Sequence, residues 1–180
     1  VDTVREFEKW YQETYNQKVK VNYTTFASNE DMYNKISSGA VSYDVIIPSD
    51  YMIARMAGEG LLQTLNFDNI PNYQYIDDNF KGLYYDAENQ YSVPYTYGIV
   101  GVIYDGNVVD AADANGWDLL WNEKYKGQVL MMNSIRDAMG IALKMQGYSM
   151  NSTDYAQLRA AADLLIQQKQ SGMVKAYGLD

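Results

Sequence analysis

The chain has 180 residues, 47% of them apolar and 21% charged, with a formal net charge of −9, the profile of a globular protein long enough to bury a real core. It contains neither His nor Cys, which excludes a His-based triad, a Cys nucleophile, and thiolate or imidazole metal sites. A carboxylate-only hydrolase and an oxygen-ligand cation site survive that exclusion, and the redox compartment stays open.

In chain order, Thr3-Val4-Arg5-Glu6 fits a capping box, and Val4, Phe7, Tyr11 and Tyr15 recur at the spacing of an amphipathic helix. Val19 to Tyr23 alternates as a strand does. Ser28 is the cap of a helix that carries Met32 and Ile36 on one face and stops at Gly39. An apolar strand over 43–47 leads into a helix from Asp50 to Gly58 with Ile53, Met56 and Ala57 inward. This alternation of helix and strand implies a parallel sheet covered by helices. The acidic stretch Asn66–Asn89 is long for a loop, which marks it as functional or locally helical.

Tyr91 to Tyr95 then runs into the apolar segment 96–104, where Gly98 and Gly101 tolerate bending. The domain boundary is expected near residue 100, giving a first lobe over 1–100 and a second over 101–180. Beyond it, Trp117–Trp121 forms a helical turn or two and 128–132 a strand. A helix follows from Arg136 to Gln146 and ends at Gly147. A last helix, from Asp154 to Gln170, is expected to bury Tyr155, Leu158, Ala162 and Leu165.

Charge is unevenly placed: residues 1–100 carry 14 acids and 7 bases (−7), residues 101–180 carry 9 and 7 (−2). Such a surface repels nucleic acid and anionic lipid and attracts cations, while serving solubility as well. No apolar stretch approaches the roughly 20 residues that span a bilayer. With no Met start and no basic-then-apolar leader, any export signal is expected to lie outside this chain. Tyrosine is abundant, 18 residues beside 3 Trp and 4 Phe. Most of these rings serve packing, but a few beside carboxylates would make a cation-binding box.

Two places share one design. Strand 43–47 ends in Pro48-Ser49-Asp50-Tyr51, and strand 128–132 ends in Asn133-Ser134-Ile135-Arg136-Asp137; a helix follows each. In open α/β sheets, ligands bind beyond the carboxyl ends of strands, so two lobes each lending one loop to a shared cleft are expected. Helix starts by themselves favour an anion. The carboxylates of Asp50 and Asp137 at those same starts would offset that preference, although Asp50 is equally suited to capping its helix. Tyr51, Tyr95 and Tyr97 are candidate aromatic walls, the last two equally suited to core packing. Arg136 is better suited to pairing a structural acid than to touching a cation. No cofactor and no metal is called for. The residues leave open a receptor for cations, for anions or for neutral sugars, a ligand sensor, and a carboxylate-pair glycosidase, the last without a recognisable acid pair at strand ends.

The chain resembles the bacterial extracytoplasmic spermidine/putrescine-binding proteins of ABC importers. The resemblance rests on an ordered set of segments: Thr25–Tyr33, Tyr43–Tyr51, Tyr91–Gly98, Trp117–Gly127, Ser134–Asp137 and Leu143–Ser149. It implies an α/β fold of the two-lobe, type II periplasmic-binding-protein kind, incomplete here. It implies a receptor, not an enzyme, that closes on a linear polyamine and delivers it to a membrane permease from the periplasm or a cell-surface anchor. By position, Ser49 and Tyr51 match first-lobe ligand contacts, and Asp137 matches a second-lobe acid that holds an ammonium. Ser134 falls where some members carry a second acid, which leaves the choice between spermidine and putrescine open. The family typically begins with a strand and an Asn-Trp-x-x-Tyr loop, and its second lobe continues further. The chain is therefore expected to be a fragment prone to self-association.

Overall fold

The computed structural model describes residues 2–178, and its contacts fall into two units, Val1–Thr96 and Tyr97–Asp180. In the first unit, helix α1 (Asp2–Tyr15) carries its aromatic rings at helical spacing, and Tyr11 and Tyr15 meet at 4.8 Å between centroids. None of its described residues is buried. Thr3 lies within the helix, because Asp2 is already helical. The link from α1 to the following segment is Glu8, whose carboxylate accepts the Val21 N–H at 2.8 Å and lies 3.6 Å from Lys20 Nζ.

Helix α2 (Asn29–Ser37) starts as its sequence predicts: the Ser28 hydroxyl accepts the Asp31 N–H at 3.0 Å. It ends at Gly39, whose φ of +71° is the left-handed conformation glycine adopts without a Cβ penalty. Helix α3 (Asp50–Gly58) contributes Met52 and Met56, one turn apart, to a core with Met32 from α2. Phe26, Tyr33, Ile36, Ile46, Leu61 and Leu62 pack around it. The expected inward set is therefore shifted: Met56 is buried, Ile53 and Ala57 are only half-buried, and Met52 takes the central place.

Two expected strands do not form. Segments 19–23 and 43–47 join no ladder, and Val45 and Ile47 are 80% and 64% exposed. Alternation makes a segment fit for a sheet, but a strand exists only where a neighbour takes its N–H and C=O groups. Among the described residues neither segment has a ladder partner. The acidic stretch resolves into short 3-10 turns at Phe67–Asn69, Pro71–Tyr75 and Asp78–Phe80, so it is locally helical.

The second unit holds the parallel pair β1 (Val129–Met132) and β2 (Val174–Gly178), in register Leu130 with Ala176 and Met132 with Gly178. The sequence reading missed β2. Between them run α4 (Ile135–Met145) and α5 (Tyr155–Gln170), which meet through Ala142, Leu143 and Ala161. The small residues Ala142 and Ala161 let the two helices approach closely. Within α5 the buried positions are Ala161 and Gln168, whereas Tyr155 is 80% exposed, against expectation. The Gln168 amide donates to the Leu120 carbonyl at 2.9 Å, tying α5 to the 3-10 turn Trp117–Trp121. Segment 97–104 has no ladder partner among the described residues, and Ile99 and Ile103 are at least nine-tenths exposed.

Candidate functional site

In the first unit the candidate residues sit at the start of α3. Ser49 is the N-cap residue by position, but its side chain makes no capping bond to its own helix. It is held instead by Asn29, whose Oδ1 accepts the Ser49 N–H at 2.9 Å while its Nδ2 donates to Ser49 Oγ at 3.1 Å. Asp50 accepts the Tyr51 N–H at 2.8 Å through Oδ1 and the Tyr84 hydroxyl at 2.7 Å through Oδ2. Tyr51, half-buried against the methionine core, donates its hydroxyl to Glu30 Oε1 at 2.8 Å. So Asp50 does satisfy a helix-start N–H, while its second oxygen is bound across 34 residues of chain.

In the same unit Asp86 is buried, 8% exposed. Its carboxylate accepts the N–H groups of Gln90, Tyr91 and Ser92 at 2.8, 3.0 and 2.9 Å, and the Ser92 hydroxyl at 2.8 Å. Burial pushes its pKa up, but these bonds outweigh burial and hold the group below its ordinary value. The Tyr85 phenol is pushed up, first by burial and then by the negative charges of Asp50 and Asp86. The field at this end of α3 is negative, and hydroxyls and main-chain N–H groups, not basic side chains, brace Asp50 and Asp86. Tyr95 and Tyr97 are 78% and 71% exposed, so neither is a core residue.

In the second unit the candidates sit where β1 ends. The Asn133 N–H donates to the Gly178 carbonyl at 2.7 Å, extending the β1–β2 pairing by one step. Ser134 caps α4: its hydroxyl accepts the Asp137 N–H at 3.3 Å and its carbonyl the Ala138 N–H at 2.9 Å. This leaves the Asp137 side chain half-buried on the first turn of α4. Arg136 donates to the Met150 carbonyl at 3.0 Å and to the Asn151 side chain, stapling α4 to the turn before α5. A hollow of about 300 Å³ in the same unit is lined by Val102, Tyr104, Trp117 and Leu119 among others. No carboxylate lines it, so it lacks the charge an ammonium group needs.

Each unit thus gathers its own candidates: Ser49, Asp50 and Tyr51 in the first, Ser134 and Asp137 in the second. Asn29, Glu30 and Tyr84, which hold the first set, carried no role in the sequence reading. The only signal available was that Asn29 and Glu30 lie inside the Thr25–Tyr33 segment. Among the described residues no group of three or more His, Cys, Asp or Glu side chains could hold a metal ion, and no described helix is long and apolar enough to cross a membrane.

Comparison with known proteins adds to this geometry. The family model described as "Bacterial extracellular solute-binding protein" matches residues 3–179. The chain is 35% identical over 146 residues to the spermidine/putrescine-binding periplasmic protein of Escherichia coli K12, a match covering 79% of this chain and 41% of that protein. It is 30% identical over 181 residues to the putrescine-binding periplasmic protein PotF of the same strain, covering 92% and 47%. Among solved structures, a putative spermidine/putrescine ABC transporter protein from Listeria monocytogenes is similar at 38% identity with a TM-score of 0.86, covering 98% of this chain and 53% of that one. The TpPotD lipoprotein of Treponema pallidum is similar at 31% identity with a TM-score of 0.83. The chain spans between two fifths and a little over half the length of these relatives.

Proposed function

This chain belongs to the bacterial extracellular solute-binding protein family and shares the α/β periplasmic-binding-protein fold of its solved relatives, and on that premise we propose that the protein carrying it captures linear polyamines. In this reading the loops at Ser49–Tyr51 and Ser134–Asp137 each contribute contacts to the ligand. The bound polyamine is then delivered to an ABC permease in the membrane, from a periplasmic or surface-anchored position. The observation that carries the reading is the match to proteins named for spermidine and putrescine along 79% of the chain. The protein is a receptor rather than an enzyme.

The chemistry of the candidate residues supports it. A polyamine presents ammonium groups separated by methylenes, and each desolvated ammonium needs a charge partner and hydrogen-bond acceptors. Asp137 in the second unit and Asp50 in the first are such acceptors. Tyr51, Tyr95 and Tyr97 offer ring faces for the methylenes, each worth about 0.5–2 kcal/mol of cation–π attraction where a charge lies over the ring.

The bonds at the helix starts weigh against an anion receptor. The N–H groups of Ser49, Tyr51 and Asp137 are already taken by Asn29, Asp50 and Ser134, which leaves fewer donors for an incoming anion. Calorimetric titration of the full-length protein with spermidine, putrescine, a neutral sugar and phosphate tests the reading. Polyamine binding that weakens as salt rises is the expected result; binding of sugar or phosphate with no response to millimolar polyamine overturns it.

A further inference from the structure

Asn29 and Glu30 are consecutive residues at the start of α2, and each reaches across to a different residue at the start of α3. Asn29 bonds both the main-chain N–H and the hydroxyl of Ser49, and Glu30 accepts the Tyr51 hydroxyl. We propose that Asn29 and Glu30 are positioning residues, which hold Ser49 and Tyr51 in the orientation that meets the ligand without touching it themselves. The proposal rests on the polyamine-receptor reading of Ser49 and Tyr51.

A serine at an N-cap ordinarily turns its hydroxyl inward to accept an N–H of its own helix. Here Ser49 makes no such bond, so its rotamer is set from outside. The orientation of the Asn29 amide follows from its neighbours. A main-chain N–H can only donate, so the amide edge facing Ser49 N must be the oxygen, and the nitrogen is then the edge that meets Ser49 Oγ. That nitrogen donates, so Ser49 Oγ is committed as an acceptor toward Asn29. One lone pair and its own proton remain for a ligand. An alanine at position 29 would return Ser49 to the ordinary inward-facing cap and withdraw its hydroxyl from the ligand.

Glu30 works on Tyr51 in the same way from the next residue. The Tyr51 ring is half-buried against Met32, Met52 and Met56, which restrains its plane, and the bond to Glu30 sets where its edge points. Because the phenol donates its proton to a carboxylate, the negative charge polarises the ring and makes its face a better partner for a cation. One turn of α2 therefore orients the neutral polar group and the aromatic wall together. The α2–α3 contact through Met32, Met52 and Met56 keeps the two helix starts in register.

The test uses the full-length protein, with putrescine and spermidine as probes and amide hydrogen exchange at Ser49 as a readout that needs no ligand. Asn29→Ala is expected to speed exchange at Ser49 at least tenfold and to weaken polyamine binding about tenfold at an unchanged melting temperature. Glu30→Ala is expected to weaken binding about tenfold, and Glu30→Gln, which keeps an oxygen for the Tyr51 hydroxyl, to recover most of that loss. Unchanged Ser49 exchange in Asn29→Ala, or Glu30→Gln as impaired as Glu30→Ala, overturns the positioning role. The two ideas fail separately: a wild-type protein blind to both polyamines sinks the receptor reading, while the exchange measurement still decides whether Asn29 orients Ser49.

Discussion

Replacing Asp86 by alanine removes one buried carboxylate that organises the chain from Gln90 to Ser92. Hydrogen bonds to a charged acceptor contribute about 1.5–3 kcal/mol each. The bonds to Gln90, Tyr91, Ser92 N and Ser92 Oγ do not add, because they share one carboxylate. Gln90 is exposed and Tyr91 and Ser92 are half-buried, so water recovers part of what is lost. The expected net cost is about 2–4 kcal/mol, spread over the turn 86–92. Urea unfolding reads the global part, and amide exchange at Gln90, Tyr91 and Ser92 reads the local part. A tenfold change per 1.4 kcal/mol makes that exchange about thirty- to several-hundredfold faster. The pH dependence has a definite sign. Asp86 has a folded-state pKa below its ordinary value, so its contribution is complete above the unfolded pKa of about 3.9. It is lost as pH falls through the lower folded value. The stability gap between wild type and Asp86→Ala should therefore be flat from neutral pH down to about pH 5 and close below about pH 4. A gap under about 0.5 kcal/mol at pH 7, smaller than one ordinary net hydrogen bond, or a gap undiminished in strong acid, refutes the reasoning.

Four further outcomes are expected. In the full-length protein, Asp137→Asn should cost about 2–5 kcal/mol of polyamine binding if its carboxylate pairs a desolvated ammonium. Ser49→Ala should cost less, about 0.5–1.5 kcal/mol; an unchanged dissociation constant in the first variant removes Asp137 from the site. Leu143→Ala, at the fully buried contact of α4 with α5, should lower stability by about 2–5 kcal/mol in urea unfolding. Finally, the 180-residue chain expressed alone should self-associate, since Ile99, Ile103, Leu130 and Ile135 are each at least 70% exposed and such surfaces seek a partner. Light scattering that finds a strict monomer with full polyamine affinity would contradict this.

The sequence by itself determined what depends on near neighbours. The start of α2 was legible because Ser28 bonds an N–H three residues on, and a cap needs only its own first turn; Ser134 and Asp154 make the same bond at the starts of α4 and α5, although neither was read as a cap. Strand β1 was legible from a short apolar run between turn residues, and the family from an ordered set of such segments. What tertiary structure decided is everything that depends on a distant partner. Alternation at 19–23 and an apolar run at 43–47 predicted strands, but ladders are made by neighbours that local pattern cannot supply. The weak apolar run 174–178 became β2 because β1 lay beside it. Period alone put Tyr155 inward and passed over Met52; packing exposed the first and buried the second, since a helix has several faces and only its neighbours choose among them. The candidate residues divide along the same line. Ser49, Asp50, Tyr51, Ser134 and Asp137 were legible because each lies just past an apolar run, at or next to the start of a helix. The side chains that bond the first three come from Asn29, Glu30 and Tyr84, 20, 21 and 34 residues away, and only the folded chain brings them there.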